Sequence, residues 1–591
     1  MRYFVWTISI LLLAAVVLAT PLPNYYLGIL VYGVVLGLLG TSVNLTLGYI
    51  GNISFGHAAY FGLGAYTAGL LSTLVGVSFW SAVAIAVFPG VLLGALVGFA
   101  SIRVGGAYFA IATLTVAEFL RLVTLNWIDL TRGPLGILVP RPRIGFLDGM
   151  GLDFQRYYLL ICIACLLLSL FIIRRLLNSP YGRAWAAIKE APELAESVGI
   201  RTLKYRVANT ALSGGLASLA GALLVPKILV LTPDLFGSMT SATGLLVAIL
   251  GGKATLIGPI LGGLVFAGLP EALRFVDQYR IAIFAALLLI SIRVQPGGIM
   301  AMIPRRTRKK VKLPTAAIEL MPVSERVHTD VAMTVEGIGR SFGGLRAVDN
   351  ISFEVVKGNL VGLIGPNGAG KTTCLTLLSG FVSVDTGKVV LNEQPISGRP
   401  AHWVAAQGVV RTFQQALVCG QLTAFENVLI GTHLHGTESI VSCVIQGAAF
   451  RNRERARIQL ATQSLALVGL LHRADTIAAD MPYGEQKMLS IAIALAAQPR
   501  LLLLDEPAAG LNHTEAAGLA SVLLKLRGAG LTLVVVDHNL RMMMKLCDRM
   551  IVMHAGKKLA EGSPEEVRNH PEVIRAYLGE RKHQVAGDAY A

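Results

Sequence analysis

The N-terminal half of this 591-residue chain is too apolar to fold as a water-soluble domain. A helix needs about 20 mostly apolar residues to cross the hydrocarbon core of a bilayer. Apolar segments of about that length or slightly shorter lie at 5–20, 27–50, 53–74, 79–102, 107–127, 157–177, 207–231, 240–252, 255–272 and 279–295. They predict a polytopic α-helical membrane domain of about ten spans.

Composition supports a membrane protein. Hydrophobic residues make up 54% of the chain and charged residues only 15%. The net charge of +16 could indicate nucleic-acid binding, but the basic residues concentrate at the ends of apolar segments and in the run 305–312. Such placement favours cytoplasmic flanks and anionic lipid headgroups. We therefore predict a lipid bilayer, and no nucleic acid, as a partner.

One loop is strongly basic, and we place it in the cytoplasm. It holds Arg174, Arg175, Arg183, Lys189, Arg201, Lys204 and Arg206. Residues 128–156 then fall outside although they contain four arginines, so the charge rule is satisfied only in part. The first 20 residues lack a clean cleavage site, which favours an uncleaved first helix over a signal peptide.

Polar residues inside the apolar half are few. Glu118 and Arg121 lie three apart in one predicted span, so they share a helix face and can pair. We expect an internal structural ion pair, with a solute contact as the alternative. His57 stands in an apolar setting, where we expect a buried, hydrogen-bonded packing role. Glycine-rich stretches at 48–69 and 251–268 fit the interrupted helices of an inverted-repeat pathway, or simple close packing.

A phosphate-binding pattern, G-x-x-x-x-G-K-[ST], follows a predicted strand that ends at Ile364. Glycines at this spacing turn backbone N–H groups onto phosphate oxygens at the positive end of a helix. The residues predicted to contact a nucleotide here are Gly365, Pro366, Asn367, Gly368, Ala369, Gly370, Lys371, Thr372 and Thr373. Lys371 suits the β- and γ-phosphates of ATP, and the Thr372 hydroxyl suits Mg²⁺. A glycine-rich turn without a ligand is the weaker alternative.

An apolar run, Leu501 to Leu504, ends in two carboxylates. In a strand that stops beside bound phosphates, Asp505 suits a metal ligand and Glu506 suits the base that orients the attacking water. The two motifs together predict an ATP hydrolase that uses Mg²⁺.

The chain divides at a basic, proline-containing stretch. We predict a membrane domain at 1–302, a linker at 303–330, an α/β nucleotide-binding domain at 331–580 and a polar tail at 581–591.

Further motifs resemble those of ABC-transporter ATPases. They are Gln414 in Arg411-Thr412-Phe413-Gln414, the signature Tyr483-Gly484-Glu485-Gln486, and His538 after the strand 531–536. The resemblance implies an ABC fold with a helical subdomain. It also implies that Phe342 stacks on adenine, that Gln414 touches Mg²⁺ and senses the membrane domain, and that His538 contacts the γ-phosphate.

Within that superfamily the chain resembles the branched-chain amino-acid uptake family, with permease and ATPase fused. The stretches that carry this likeness are 507–512, 573–580, 62–66, 108–114, 133–137 and 179–184. The resemblance implies ATP-driven uptake across a bacterial-type cytoplasmic membrane with an external solute-binding protein. A urea or short-amide importer of the same family and a half-size ABC exporter are the alternatives.

The basic loop contains a second family pattern, E-x-A-x-x-x-G, at Glu193, Ala195 and Gly199. The resemblance implies a short helix that docks on the ATPase and moves as a lever. An ordinary charged loop helix is the alternative.

The signature departs from its commonest form, L-S-G-G-Q. The negative Glu485 at a place that faces phosphate suggests weak hydrolysis at the site it completes. ABC sites are shared between two subunits, so the resemblance implies that this chain needs a second ATPase and a second permease subunit or domain.

Overall fold

The computed structural model describes residues 22–101, 106–142, 153–273, 279–295, 297–302, 331–436 and 438–577. The predicted span 5–20, the linker 303–330 and the polar tail lie outside the described residues. The chain forms two compact units. Met1–Asn178 and Leu203–Arg308 make the first, and Ser179–Thr202 and Lys309–Ala591 make the second. The domain limits at 302 and 331 stay a prediction.

The described part of the first half is almost entirely helical. Its helices are α1 (Asn24–Asn44), α2 (His57–Thr73), α3 (Phe79–Ala100), α4 (Gly106–Asn126), α5 (Ile128–Thr131), α6 (Phe154–Leu177), α7 (Pro180–Glu190), α8 (Pro192–Ser197), α9 (Thr202–Ile228), α10 (Ser238–Gly251), α11 (Gly258–Ala272) and α12 (Arg280–Val294). The short strands β1 (Ile137–Leu138) and β2 (Val230–Leu231) pair antiparallel. Of these elements, α7 and α8 belong to the second unit.

Within the described residues, five helices are long and apolar enough to cross a membrane. They are α1 with its extension to Ile50, α3, α4, α6 and α9. Four shorter helices, α2, α10, α11 and α12, occupy the other predicted spans from residue 53 onward. The count of about ten spans therefore stays a prediction, while the helical membrane unit itself is confirmed.

Each glycine-rich stretch contains a gap between two helices, at about the predicted boundary between two spans, and an inverted-repeat pathway stays a prediction. After α1 a π-helical turn, Leu45–Ile50, ends at Gly51, and α2 begins only at His57. In the second stretch α10 ends at Gly251 and α11 begins at Gly258. Close packing also occurs, because Gly33 and Gly37 of α1 lie directly against the backbone of α11.

The structure bears on two predictions about polar side chains in the membrane unit. His57 is fully buried and its Nε2 lies 2.9 Å from the Ser213 hydroxyl, which donates to the Ser42 carbonyl at 2.7 Å. The buried packing histidine is confirmed. Glu118 and Arg121 form the predicted ion pair, at 2.7 Å, but the described residues of this chain do not enclose it, so its internal position stays a prediction. The Glu118 side chain is 46% exposed and that of Arg121 28%, because α4 is the least buried of the five long helices.

The second unit contains two sheets. Its strands are β3 (Val331–Phe342), β4 (Leu345–Val356), β5 (Leu360–Ile364), β6 (Thr386–Leu391), β7 (Gln394–Pro395), β8 (Val409–Arg411), β9 (Leu501–Asp505), β10 (Thr532–Val536), β11 (Arg549–His554) and β12 (Lys557–Gly562). The larger sheet has the order β12-β11-β5-β10-β9-β8, and the smaller, antiparallel sheet has the order β4-β3-β6-β7.

Helices surround these sheets. They are α13 (Lys371–Leu378), α14 (Ala401–Ala406), α15 (Ala424–Gly431), α16 (Ile440–Ile445), α17 (Ala448–Leu467), α18 (Tyr483–Ala496), α19 (His513–Gly528), α20 (Leu540–Leu546) and α21 (Pro564–Asn569). The run α15 to α18 lies between β8 and β9 and corresponds to the predicted helical subdomain.

The central strands explain where the site lies. Strands β5, β9 and β10 are buried along their whole length, as apolar runs in parallel sheets are. They are parallel to one another and to β8. Their carboxyl ends therefore meet at one edge of the sheet, which is where open α/β sheets bind ligands.

Candidate nucleotide site

The glycine-rich loop joins β5 to α13. Gly370 precedes the helix with φ of 94°, a left-handed conformation that suits glycine, and a β-carbon there would meet the Ala347 carbonyl. The buried Lys371 ammonium donates to the carbonyl oxygens of Gly365 and Pro366, each at 2.8 Å. The loop thus curves around its own lysine at the N-terminus of α13, as a phosphate cradle requires.

Asp505 ends β9 next to this helix. One carboxylate oxygen lies 3.4 Å from the Thr372 hydroxyl, and the other accepts a hydrogen bond from Arg411 at 2.8 Å. The Arg411 and Asp505 side chains are 5% and 1% exposed. Arg411 also donates to the Thr376 hydroxyl at 2.8 Å. Strand β8 therefore fixes the orientation of the predicted metal ligand.

The residues predicted for Mg²⁺ form a suitable donor set. Thr372 offers a hydroxyl, Asp505 a carboxylate and Gln414 an amide oxygen, and Mg²⁺ prefers oxygen ligands. Thr372 and Asp505 are already in contact. Among the described residues, no group of three or more His, Cys, Asp or Glu side chains is arranged so that it could hold a metal ion.

Glu506 is held from two sides. The Gln414 amide donates to its Oε2 and the His538 Nε2 lies against its Oε1, both at 2.7 Å. Its own backbone has φ of 46°, and its N–H donates to the Val536 carbonyl at 2.7 Å. The structure therefore brings the three predicted catalytic residues into one hydrogen-bonded set, with the carboxylate at its centre.

A buried lysine lies behind this set. The Lys487 ammonium, 2% exposed, donates to the backbone carbonyls of Gln414 and of Glu506, the latter at 3.0 Å. Burial lowers the pKa of Lys487, although the charges of Asp537, Glu506 and Asp505 act in the opposite direction. Because Lys487 lies on α18, one side chain joins the signature helix to the loops that carry Gln414 and Glu506.

A second buried carboxylate fixes the neighbouring turns. Asp537 accepts from the backbone N–H of Ala508 at 3.0 Å and of Asn539 at 2.8 Å. It thereby connects the loop after Glu506 to the loop that holds His538.

The signature residues lie at the start of α18 and are not part of that set. Glu485 is paired with Arg473, whose Nε and Nη2 lie 3.2 and 3.1 Å from its Oε1. Gln486 donates to the carbonyls of Ala478 and Met481, and Gly484 lies against Glu515. Tyr483 is substantially exposed. The charge of Glu485 is therefore partly offset inside this chain.

Phe342, predicted to stack on adenine, ends β3. Its ring is 47% exposed, and the Arg340 guanidinium lies 5.2 Å from the ring centre. An exposed aromatic face at a strand end remains open to a flat base.

The predicted docking pattern lies on and after α8. Glu193 is exposed on that helix, and Ala195 is fully buried. Gly199 follows with φ of 84°, and a β-carbon there would collide with Leu434. Helix α8 packs on α14, while α7 packs on α15 and α16.

Helix α7 adds direct polar contacts. Arg183 makes two hydrogen bonds to the Glu454 carboxylate on α17, and Glu190 Oε2 accepts from the Gln421 N–H at 3.3 Å. Burial alone would raise the pKa of Glu454, but the charges and hydrogen bonds of Arg183 and Arg457 lower it overall. The segment 179–202 is therefore part of the unit that carries the nucleotide site.

Comparison with known proteins identifies both halves. The family described as the permease component of branched-chain amino acid transport systems matches residues 25–292. The ABC transporter family matches 348–509, and the branched-chain amino acid ATP-binding cassette transporter family matches 557–583. LivG of Salmonella typhimurium, a high-affinity branched-chain amino acid transport ATP-binding protein, is 41% identical over 249 residues, 42% of this chain and 98% of LivG.

The chain belongs to the branched-chain amino-acid transport family of ABC transporters. BraF of Pseudomonas aeruginosa, with the same description as LivG, is 39% identical over the same shares of the two chains. A solved ATP-binding cassette of an ABC transporter in its ADP conformation is 30% identical, with a TM-score of 0.38, over 42% of this chain and 100% of the other.

This ABC transporter chain fuses a permease to its ATPase and couples ATP hydrolysis to the uptake of branched-chain amino acids. Sequence reasoning missed four residues of the site. Arg411, Lys487, Asp537 and Arg473 all contact predicted residues or the loops beside them. Two of them had a signal in the sequence, because Arg411 opens the motif that contains Gln414 and Lys487 directly follows the signature residue Gln486.

Proposed function

We propose that this chain is half of an importer that takes branched-chain amino acids from an external solute-binding protein. The second half supplies another ATPase and another permease. The complex lies in a bacterial-type cytoplasmic membrane, with the nucleotide-binding unit in the cytoplasm. Leucine, isoleucine and valine are the expected solutes.

In this proposal the ATP site is divided between two chains. Residues 365–373 hold the phosphates, Phe342 stacks on adenine, and Tyr483 to Gln486 complete the site of the partner ATPase. Support comes from Glu485 and Gln486, whose hydrogen bonds go to Arg473, Ala478 and Met481 before α18 and not to the phosphate loop of the same chain. A signature that does not contact its own phosphate loop is free to complete the site of a second subunit.

Hydrolysis is assigned to Glu506. Its carboxylate accepts the proton of a water whose oxygen attacks the γ-phosphorus, while the bond from that phosphorus to the β–γ bridging oxygen breaks and ADP leaves. His538 and Gln414 keep the carboxylate oriented. Thr372, Asp505 and Gln414 would hold Mg²⁺, which would supply positive charge against the phosphate oxygens. Lys371 provides a further positive charge at the same oxygens.

One observation carries the coupling between ATP and transport. Segment 179–202 connects α6 to α9. The ion pair of Arg183 with Glu454 holds this segment in the unit that binds nucleotide. Closure of two ATPases on ATP then pulls this segment as a rigid piece and switches the permease to its outward-facing state. ATP hydrolysis then returns the permease to its inward-facing state.

The test is the ATPase activity of the reconstituted complex, measured with and without candidate binding proteins and their ligands. Stimulation by a leucine-, isoleucine- or valine-loaded binding protein supports the proposal. Stimulation by a urea-loaded protein alone would favour the short-amide importer. Stimulation by a hydrophobic compound in the absence of any external protein would indicate an exporter and overturn the proposal.

A further inference from the structure

The ion pair of Glu118 and Arg121 lies in the inner part of a helix that is long enough to cross a membrane. Helix α4 has 21 residues and is therefore about 31 Å long, close to the thickness of the hydrocarbon core. The Glu118 α-carbon lies about 3 Å from the middle of the helix, and that of Arg121 about 7 Å. Neither residue is near enough to a helix end to be an ordinary interfacial charge.

The pair is also accessible. Structural charges within membranes are normally enclosed by neighbouring helices, because lipid cannot solvate them. Here both side chains are partly exposed, on the least buried of the five long helices among the described residues. Because lipid cannot solvate such charges, we infer that this face of α4 borders a polar pathway or the second permease.

The Arg121 guanidinium has hydrogen-bond donors that it does not use for Glu118. Arg121 uses Nε and Nη2 for Glu118, at 2.7 to 3.0 Å. Within the described part of the chain, its Nη1 makes no hydrogen bond. A guanidinium can therefore receive a second carboxylate while it still holds Glu118.

Apolar side chains flank the charges on the same helix face. Leu114 and Leu122 lie one turn before and one turn after Glu118, and Ile111 lies two turns before it. All three are exposed. The face thus offers one anion, one cation and an aliphatic surface beside them.

From this arrangement we propose that Glu118 and Arg121 contact the amino acid during its passage through the permease. The α-carboxylate pairs with Arg121, the α-ammonium pairs with Glu118, and the branched side chain lies against Leu114 and Leu122. A zwitterion and an ion pair are each neutral, so exchange of partners leaves no unpaired charge in the membrane. This proposal rests on the proposed uptake of branched-chain amino acids and adds which residues bind the solute.

A double substitution separates this role from a structural one. Glu118→Gln or Arg121→Gln alone leaves one charge without a partner and impairs either role. Glu118→Gln with Arg121→Gln leaves two neutral amides, which a purely structural site tolerates better than either single change. A solute site does not recover, because both counter-charges are gone.

The experiment uses the assembled transporter in proteoliposomes with leucine-loaded binding protein. In the double variant we expect leucine uptake at least tenfold below that of the unsubstituted complex, with binding-protein-stimulated ATPase activity within twofold. Arg121→Lys, which keeps a cation, should retain measurable uptake with a raised KM. Asn126→Ala, at the last residue of α4 and away from the pair, is the matched control and should change neither activity.

Leucine uptake at the unsubstituted rate in the double variant would overturn the inference. Loss of uptake and ATPase activity together in that variant would also overturn it, since a structural role would then suffice. Failure of the proposed function is distinguishable, because the unsubstituted complex itself would not take up leucine.

Discussion

The Arg183 guanidinium donates two hydrogen bonds to the Glu454 carboxylate, at 2.6 and 3.0 Å. Glu454 is itself paired with Arg457, which is 1% exposed and also contacts Glu438. Arg183 is therefore connected to a nearly buried ionic network on the helical part of the nucleotide-binding unit. We regard this network as the anchor of segment 179–202.

Loss of this anchor should uncouple the transporter. Arg183→Met leaves Glu454 with one partner, and breaking a well-buried pair from one side costs about 3–5 kcal/mol, less at this partly exposed site. We expect leucine uptake to fall at least threefold while ATPase activity remains. Uptake and phosphate release in the same proteoliposomes give the coupling ratio.

Arg346→Met is the matched control for that experiment. Its ion pair with Asp349 lies at the surface, where such pairs contribute little. A coupling ratio unchanged by Arg183→Met would show that the anchor lies elsewhere.

Glu506→Gln should trap ATP. The amide keeps the shape of the side chain but cannot take a proton from water, and loss of a general base typically lowers the rate 10²–10⁴-fold. We expect ATP to stay bound in a closed ATPase pair, measured as retained labelled nucleotide after rapid gel filtration. Glu566→Gln, in the capping box of α21, should behave like the unsubstituted protein. Normal turnover of the Glu506 variant would remove this residue from the proposed role.

The pairing of Glu485 with Arg473 predicts a charge effect at the signature. Arg473→Ala leaves the Glu485 carboxylate without its cation, so it should repel nucleotide phosphates more strongly. We expect the KM for ATP of the complex to rise by about fivefold or less, with a smaller rise at high salt. Adding Glu485→Gln should restore the KM, and a KM that stays high in the double variant would argue against a charge effect.

Gly199→Ala should weaken the docking of α8. A β-carbon at a φ of 84° costs of the order of 1 kcal/mol or more, and it collides with Leu434. We expect uptake to fall several-fold. Leu434→Ala in the same chain removes the collision but not the backbone strain, so recovery should be partial. Full activity of Gly199→Ala alone would contradict the docking geometry.

Much of the site could be predicted because its residues lie within short, recognisable sequence motifs. The loop 365–373 follows a buried strand and opens a helix, and Asp505 and Glu506 end another strand. Parallel strands bring such ends together without further information. The convergence of Gln414 and His538 on Glu506 follows from the same topology.

The remaining contacts depend on tertiary structure, and no pattern in the sequence indicates them. Arg411 contacts Asp505, which is 94 residues away in the sequence, and Lys487 contacts the Gln414 carbonyl, which is 73 residues away. Spacing showed that Glu118 and Arg121 can pair, but the exposure of that pair depends on which helices cover α4. The anchoring role of Arg183 depends in the same way on the position of α17.

ATP-driven accumulation of labelled leucine in proteoliposomes tests the central claim most directly. The vesicles contain the complete complex, with leucine-loaded binding protein on the side opposite to the nucleotide-binding units and ATP with Mg²⁺ on their side. We expect leucine to accumulate against its gradient, and we expect Glu506→Gln to abolish this accumulation. No accumulation with a fully assembled, ATP-hydrolysing complex would contradict the claim.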